Sequence, residues 1–175
     1  IGLSFLQKPP LIDEESMKKE LLSNKMKPRK ICQRLAKEKS LSNSKKFPHL
    51  FSLGIDSCLI FKNNFLSKPT SKKEAKKMFI LLNGKNHKLY TSMYIAKNGK
   101  KIWSYNDEAT LKLYKFNNKD MNFYIKQLNI INIKSSGLYQ IENIGINLFE
   151  KIEGDFFTIL GLPVLPLLRF LKKNK

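Results

Sequence analysis

Few residues in this 175-residue chain have the types and spacing that chemistry requires. The two histidines, His49 after Pro48 and His87 just past Asn83-Gly84, have no motif partner, so structural or surface roles suit both better than catalysis. Cys32 and Cys58 stand far apart and form neither a C-x-x-C pair nor a disulfide framework, which fits a reducing compartment. Phosphate-loop, dinucleotide and serine-elbow signatures are absent, as is any Cys/His cluster of metal type. Carboxylates remain, and they are scarce in so basic a chain. Asp13, Glu14, Asp56, Glu153 and Asp155 are candidate ligands for a hard cation, each set against the plainer role of a turn or cap residue. Lys39 is out of place: Ile31, Leu35 and Lys39 are spaced four apart, so an ammonium continues a line of apolar side chains. It is either a snorkelling side chain near a helix C-terminus or a cation directed into a cleft.

Elements must position these groups, and the pattern alternates between strand and helix signals, which is the mark of an α/β or mixed α+β domain. Leu3 to Gln7 reads as extended and ends in Pro9-Pro10, and the acidic turn Asp13-Glu14-Glu15 leads into a lysine-rich connection. Pro28 opens a helix. Leu50 to Ile55 and Cys58 to Phe61 read as strands, with Gly54-Ile55-Asp56-Ser57 between or across them, so Asp56 sits among apolar residues. Ser71-Lys72-Lys73-Glu74 is a capping box ahead of Ala75, Met78, Phe79 and Leu82 on one helical face, and Asn83-Gly84 is the stop. Lys88 to Ala96 and Lys101 to Phe116 form a long hairpin whose Asn98-Gly99 turn supplies positive φ angles. Met121, Tyr124, Ile125 and Leu128 predict another helix, Ser135 to Gly145 a loop and Ile146 to Ile152 a strand. A last helix starts near Pro163 and turns Val164, Leu165, Leu168 and Leu171 inward.

Composition narrows the function classes. There are 33 Lys+Arg against 14 Asp+Glu, a formal net charge of +19, with 42% hydrophobic residues, enough apolar surface for a folded core in one domain. The basic excess is almost all lysine, with Arg29, Arg34 and Arg169 the exceptions, and it is spread along most segments. That pattern favours a solvated basic surface with anionic small-molecule partners over a dedicated nucleic-acid face. The longest apolar stretch, Phe156 to Leu171, is too short and too interrupted to span a membrane, and the first residues have no signal-peptide pattern.

Taken in order, Ile12-Asp13-Glu14, Arg34-Leu35-Ala36-Lys37-Glu38-Lys39, Gly54-Ile55-Asp56-Ser57, Ser67-Lys68-Pro69, Gly84-Lys85-Asn86-His87, Tyr90-Thr91-Ser92, Ser136-Gly137-Leu138-Tyr139-Gln140-Ile141-Glu142, Ile152-Glu153-Gly154-Asp155 and Gly161-Leu162-Pro163 resemble the Maf family of nucleotide pyrophosphatases over nearly the whole chain. The resemblance implies a single Maf-like domain over 1–175. The implied fold is an elongated mixed β-sheet flanked by helices, related to inosine triphosphate pyrophosphatases, with two lobes and a nucleotide cleft. It also implies cleavage of nucleoside triphosphates between the α- and β-phosphates with Mg²⁺ or Mn²⁺, in a cytoplasmic, house-cleaning homodimer. By the same resemblance Asp56 is the proton acceptor, Glu14 and Asp56 are metal-side carboxylates, Lys39 and Lys68 are phosphate-side lysines, and Glu142 is a base-side residue. Lys39 on a buried line then has a reason.

Three departures from the family pattern stand out, one a segment and two single positions. The family's first strand and its A-S-x-S-x-R phosphate loop lie before the first residue here, so an N-terminally truncated domain is expected. Ser57 stands where members carry Thr or Gln. Glu142 stands where thymidine and uridine triphosphate-preferring members carry Gln, and an acceptor-only carboxylate suits guanine-type N–H donors, as in 7-methylguanosine triphosphate. The alternative from another class is a noncatalytic basic protein that binds nucleotide or nucleic acid.

Overall fold

The computed structural model describes residues 2–128 and 138–174. Its first regular element is α1 (Glu14–Ser23), where the sequence reading expected a turn and a connection. The reason is local. Asp13 caps the helix, its Oδ1 accepting from Ser16 N at 3.0 Å, and Glu14 and Glu15 place negative charge in the first turn, where the helix dipole favours it. The second helix, α2 (Pro28–Lys46), opens on proline as expected and buries Ile31, Cys32, Leu35 and Ala36.

The strands are β1 (Ser52–Phe61), β2 (Asn64–Leu66), β3 (Asn86–Lys97), β4 (Lys100–Leu113) and β5 (Phe149–Glu153), in sheet order β2-β1-β3-β4-β5. With its flanking helices this sheet makes the α/β fold that the resemblance implied. β1 is one continuous strand, so Gly54-Ile55-Asp56-Ser57 crosses it and does not divide it. Two tight turns have positive φ at both central residues: Asn98 (49°) and Gly99 (70°) join β3 to β4 as predicted, and Lys62 (48°) and Asn63 (64°) join β1 to the unanticipated β2. The hairpin β1–β2 pairs Ile60 with Phe65, and β4–β5 pairs Leu111 with Ile152, both antiparallel.

Helix α3 (Lys72–Leu82) has the expected cap at Ser71, whose Oγ accepts from Glu74 N at 3.2 Å; Glu74 itself turns to Thr70 N and Oγ1, both at 2.8 Å. Helix α4 is Asn118–Gln127. The strand expected over Ile146 to Ile152 is shorter. Ile144–Leu148 is a 3₁₀ turn capped by the Asn143 side chain, and β5 begins only at Phe149. The loop predicted from Ser135 lies outside the described residues as far as Gly137. A short helix, α5 (Phe156–Ile159), precedes α6 (Val164–Lys173). In α6 the buried stripe is Val164, Leu167 and Phe170, spaced three apart, while Leu165 is exposed, which corrects the inward set expected from sequence.

The chain forms two units: unit 1 is Ile1–Asp56, Ser92–Asn106 and Leu165–Lys175, and unit 2 is Ser57–Thr91 and Asp107–Val164. In unit 1, α2 lies on β1. Gly54 permits this, since a Cβ there would collide with the Ala36 carbonyl oxygen and Ser40 N. Unit 2 has its own core of Phe61, Phe79, Leu82, Leu111, Leu113 and Tyr124 with their neighbours. Among the described residues no helix is long and apolar enough to cross a membrane.

Candidate functional site

Three residues singled out from sequence meet in unit 1. Asp56 projects from the middle of β1 toward α2 and is buried. Lys39, two turns along α2 from Ile31, reaches back with its ammonium. Nζ lies 2.8 Å from Asp56 Oδ1 and 2.9 Å from Oε1 of Glu14, the first residue of α1, and also donates to the Ile55 carbonyl at 3.3 Å. Lys39 is therefore not a lysine snorkelling to solvent. It is a cation held between two carboxylates from two other elements, and its own side chain keeps 17% of its surface exposed.

The electrostatics follow from burial and pairing. Burial works against the Lys39 ammonium, yet the Asp56 and Glu14 carboxylates outweigh it and hold its pKa above the ordinary lysine value. Asp56 is shifted the other way for an acid: burial raises its pKa above the usual aspartate value, and the nearby Lys39 charge offsets only part of that. The cluster thus holds a lysine that stays charged and an aspartate that is more basic than usual.

Sequence reasoning missed Cys32, whose thiol donates to the Asp56 carbonyl oxygen at 3.0 Å. A signal was available: Cys32 and Lys39 are seven residues apart and so lie on one face of α2. It also missed a run of hydroxyls in unit 2 that starts at the residue after Asp56. Thr91 Oγ1 donates to the Thr158 carbonyl at 3.0 Å, so its single proton is committed and the 2.7 Å contact with Ser57 Oγ must be donated by Ser57. The Thr158 hydroxyl donates to Asp107 Oδ2 at 2.6 Å.

Other candidates have plainer places. Asp13 caps α1, Asp155 caps α5 through Thr158 N at 3.0 Å, and Glu153 pairs with Lys151 at 2.6 Å. His49 is exposed. His87 is buried, with Nε2 2.7 Å from Tyr139 Oη. Lys68 and Glu142 belong to unit 2 and are both exposed. Lys68 borders a shallow groove with Leu66, Pro69 and Met78. No group of three or more His, Cys, Asp or Glu residues able to hold a metal occurs among the described residues.

A family model described as "Maf-like protein" matches residues 1–174. The chain belongs to the Maf family. Similar Maf-family sequences include a nucleoside triphosphate pyrophosphatase of Pelagibacter ubique, 37% identical over 171 residues that cover 98% of this chain and 88% of the relative. One from Caulobacter vibrioides is also 37% identical over 171 residues, covering 98% and 85%. A 7-methyl-GTP pyrophosphatase of Bartonella quintana is 38% identical over 167 residues, covering 95% and 83%. The Maf relatives are thus named for two substrate descriptions at nearly the same identity, so overall similarity does not choose between them.

Proposed function

We propose that the chain hydrolyses the α–β phosphoanhydride of nucleoside triphosphates, giving a monophosphate and pyrophosphate, with Asp56 as the proton acceptor for the attacking water. The observation that carries this reading is the pair of carboxylates, Glu14 and Asp56, converging on the Lys39 ammonium at 2.9 and 2.8 Å. A triphosphate repels an incoming water, so cleavage needs positive charge against its oxygens and a base for the proton. Lys39 supplies a fixed positive charge beside the base. Burial makes the Asp56 carboxylate a stronger proton acceptor, and the ammonium next to it favours the ionised form that can take the proton.

Two carboxylates with hard oxygen donors match what Mg²⁺ or Mn²⁺ takes from a protein when water and substrate phosphates fill the remaining positions. Glu14 and Asp56 would hold such a cation, and it would supply further neutralisation of the phosphate oxygens. Lys68 is assigned to the phosphates, and Glu142, an acceptor-only carboxylate, to the base. That favours modified guanines such as 7-methyl-GTP over pyrimidines. The reading treats residues 1–175 as a single domain acting as a cytoplasmic homodimer.

The test is incubation of the chain with Mg²⁺ and a panel of canonical and modified triphosphates, with the products resolved. Monophosphate and pyrophosphate are expected, and Asp56→Asn should abolish them while leaving the fold intact. Undiminished pyrophosphate release by that variant would remove Asp56 from the role. The net charge of +19 favours a second reading, a noncatalytic binder of polyanions. Its signature would be steeply salt-dependent binding to arbitrary RNA or DNA with no metal-dependent hydrolysis.

A further inference from the structure

Helix α2 carries a second set of charged groups on the flank turned away from Lys39. Lys30, Arg34 and Lys37 follow one another at helical spacing, and Lys37 and Lys39, two residues apart, point about 200° away from each other around the axis. This second set lines a concavity of about 510 Å³ in unit 1, bounded on its other side by β3 and β4 with Ser92, Tyr94 and Lys101. Like charges one turn apart destabilise a helix, and here only Arg34 has a carboxylate, Glu38 at 3.2 Å. Lys30 and Lys37 have no ion-pair partner among the described residues. The Lys101 ammonium lies 5.6 Å from the centroid of the Tyr94 ring, which holds a fourth cation at the same concavity.

Two further observations point to a ligand. The start of helix α2 is electropositive: Lys27 makes no side-chain cap, no acidic residue occupies the first turn, and Arg29 and Lys30 set positive charge against the positive end of the dipole. Ser92, only 3% exposed, lines the concavity, and its hydroxyl has no hydrogen-bond partner among the described residues. Because that oxygen is not sealed from the groove, it can donate to an acceptor bound there. An anion would relieve the cation repulsion, meet the positive end of the dipole and accept from the Ser92 hydroxyl together.

We propose that this groove is a second anion site, separate from the Lys39 cluster, that takes a small anion bearing two or more linked phosphoryl groups. Converging cations, a hydroxyl donor and a concavity of limited volume fit a compact polyanion better than an extended strand. The inference does not depend on Asp56 being a catalytic base.

The probe is inorganic pyrophosphate without divalent metal, titrated into isotope-labelled protein and followed by amide resonances. Saturable shifts are expected at Lys30, Arg34, Lys37, Ser92 and Lys101. The double substitution Lys30→Ala/Lys37→Ala should weaken that binding about tenfold or more, as expected for the loss of two charge-assisted contacts. Ser92→Ala should weaken it by a smaller factor at an unchanged thermal midpoint. Shifts confined to the neighbourhood of Lys39 and Asp56, or equal affinity in the double variant, would overturn the proposal. It would also be overturned if a single-stranded oligonucleotide saturated these resonances while pyrophosphate left them unmoved, since the groove would then be a nucleic-acid surface.

Discussion

His87 shows how much a single side chain can tie to pH. Its ring is buried, Nε2 meets Tyr139 Oη, and Nδ1 has no hydrogen-bond partner among the described residues. Burial pushes its pKa down from 6.5 to about 4, so the folded chain keeps the imidazole neutral where the unfolded chain protonates it. The unfolded state binds the extra proton between those values, so stability is fully present above pH 6.5 and falls as the pH drops toward 4. The full shift corresponds to about 3 kcal/mol. Urea denaturation of the native chain and of His87→Asn at several pH values from 7.5 to about 4 isolates this contribution, since the carboxylates titrate in both. The stability difference between the two should shrink on acidification; a constant difference would show that His87 is protonated alike in both states. The residue scale is also where sequence was most informative about the site. Lys39 broke an apolar line, and Asp56 stood among β-branched and apolar neighbours. Cys32 and the Ser57–Thr91–Thr158 run were not legible, because hydrogen bonds between residues 24 to 67 positions apart depend on register that no local pattern encodes.

At the scale of elements, the contact that assembles the cluster is α2 on β1, and Gly54 leaves room for it. With no Cβ at that position the helix backbone at Ala36 and Ser40 comes down on the strand, and the same turn of α2 puts Lys39 at Asp56. Gly54→Ala should therefore cost about 1–3 kcal/mol through overpacking. It should also move Lys39 away from Asp56, so pyrophosphate release should fall more than the loss of folded protein explains. Urea midpoints together with turnover per folded molecule measure both, and an alanine accommodated at full activity would mean the contact has slack that the structure does not show. Elements whose signals are local were readable: the Pro28 start, the Ser71 cap and the Asn98-Gly99 turn all behave as their residues require. The misses have physical reasons. The α1 cap at Asp13 reads as a turn from sequence, because a single cap residue looks the same in both. β2 is three residues long, and its Lys62-Asn63 turn reaches positive φ without glycine. In α6 Val164 to Leu168 is an unbroken apolar run, and only Arg169, Lys172 and Lys173 mark its polar flank, on which Leu165 falls four residues before Arg169.

For the molecule as a whole the dominant fact is charge: 33 basic against 14 acidic groups. Ion pairs such as Arg34–Glu38, Lys112–Glu150 and Lys151–Glu153 have largely exposed partners and offset little of the resulting self-repulsion. The folded chain confines its charges more closely than the unfolded one, so repulsion weighs against folding and is relieved when salt screens it. Raising NaCl from about 10 mM to about 150 mM shortens the screening length from about 30 Å to about 8 Å, and the thermal midpoint should rise. Association should respond in the opposite sense, because the field that strains the fold also draws polyanions in, and kcat/KM for a triphosphate should fall over the same range. A non-ionic osmolyte at matched osmolality separates screening from preferential exclusion. A midpoint that drops with salt would mean that specific ion pairs, the Lys39 cluster first among them, outweigh the net charge, and the basic surface would then owe its composition to something other than attraction of anions.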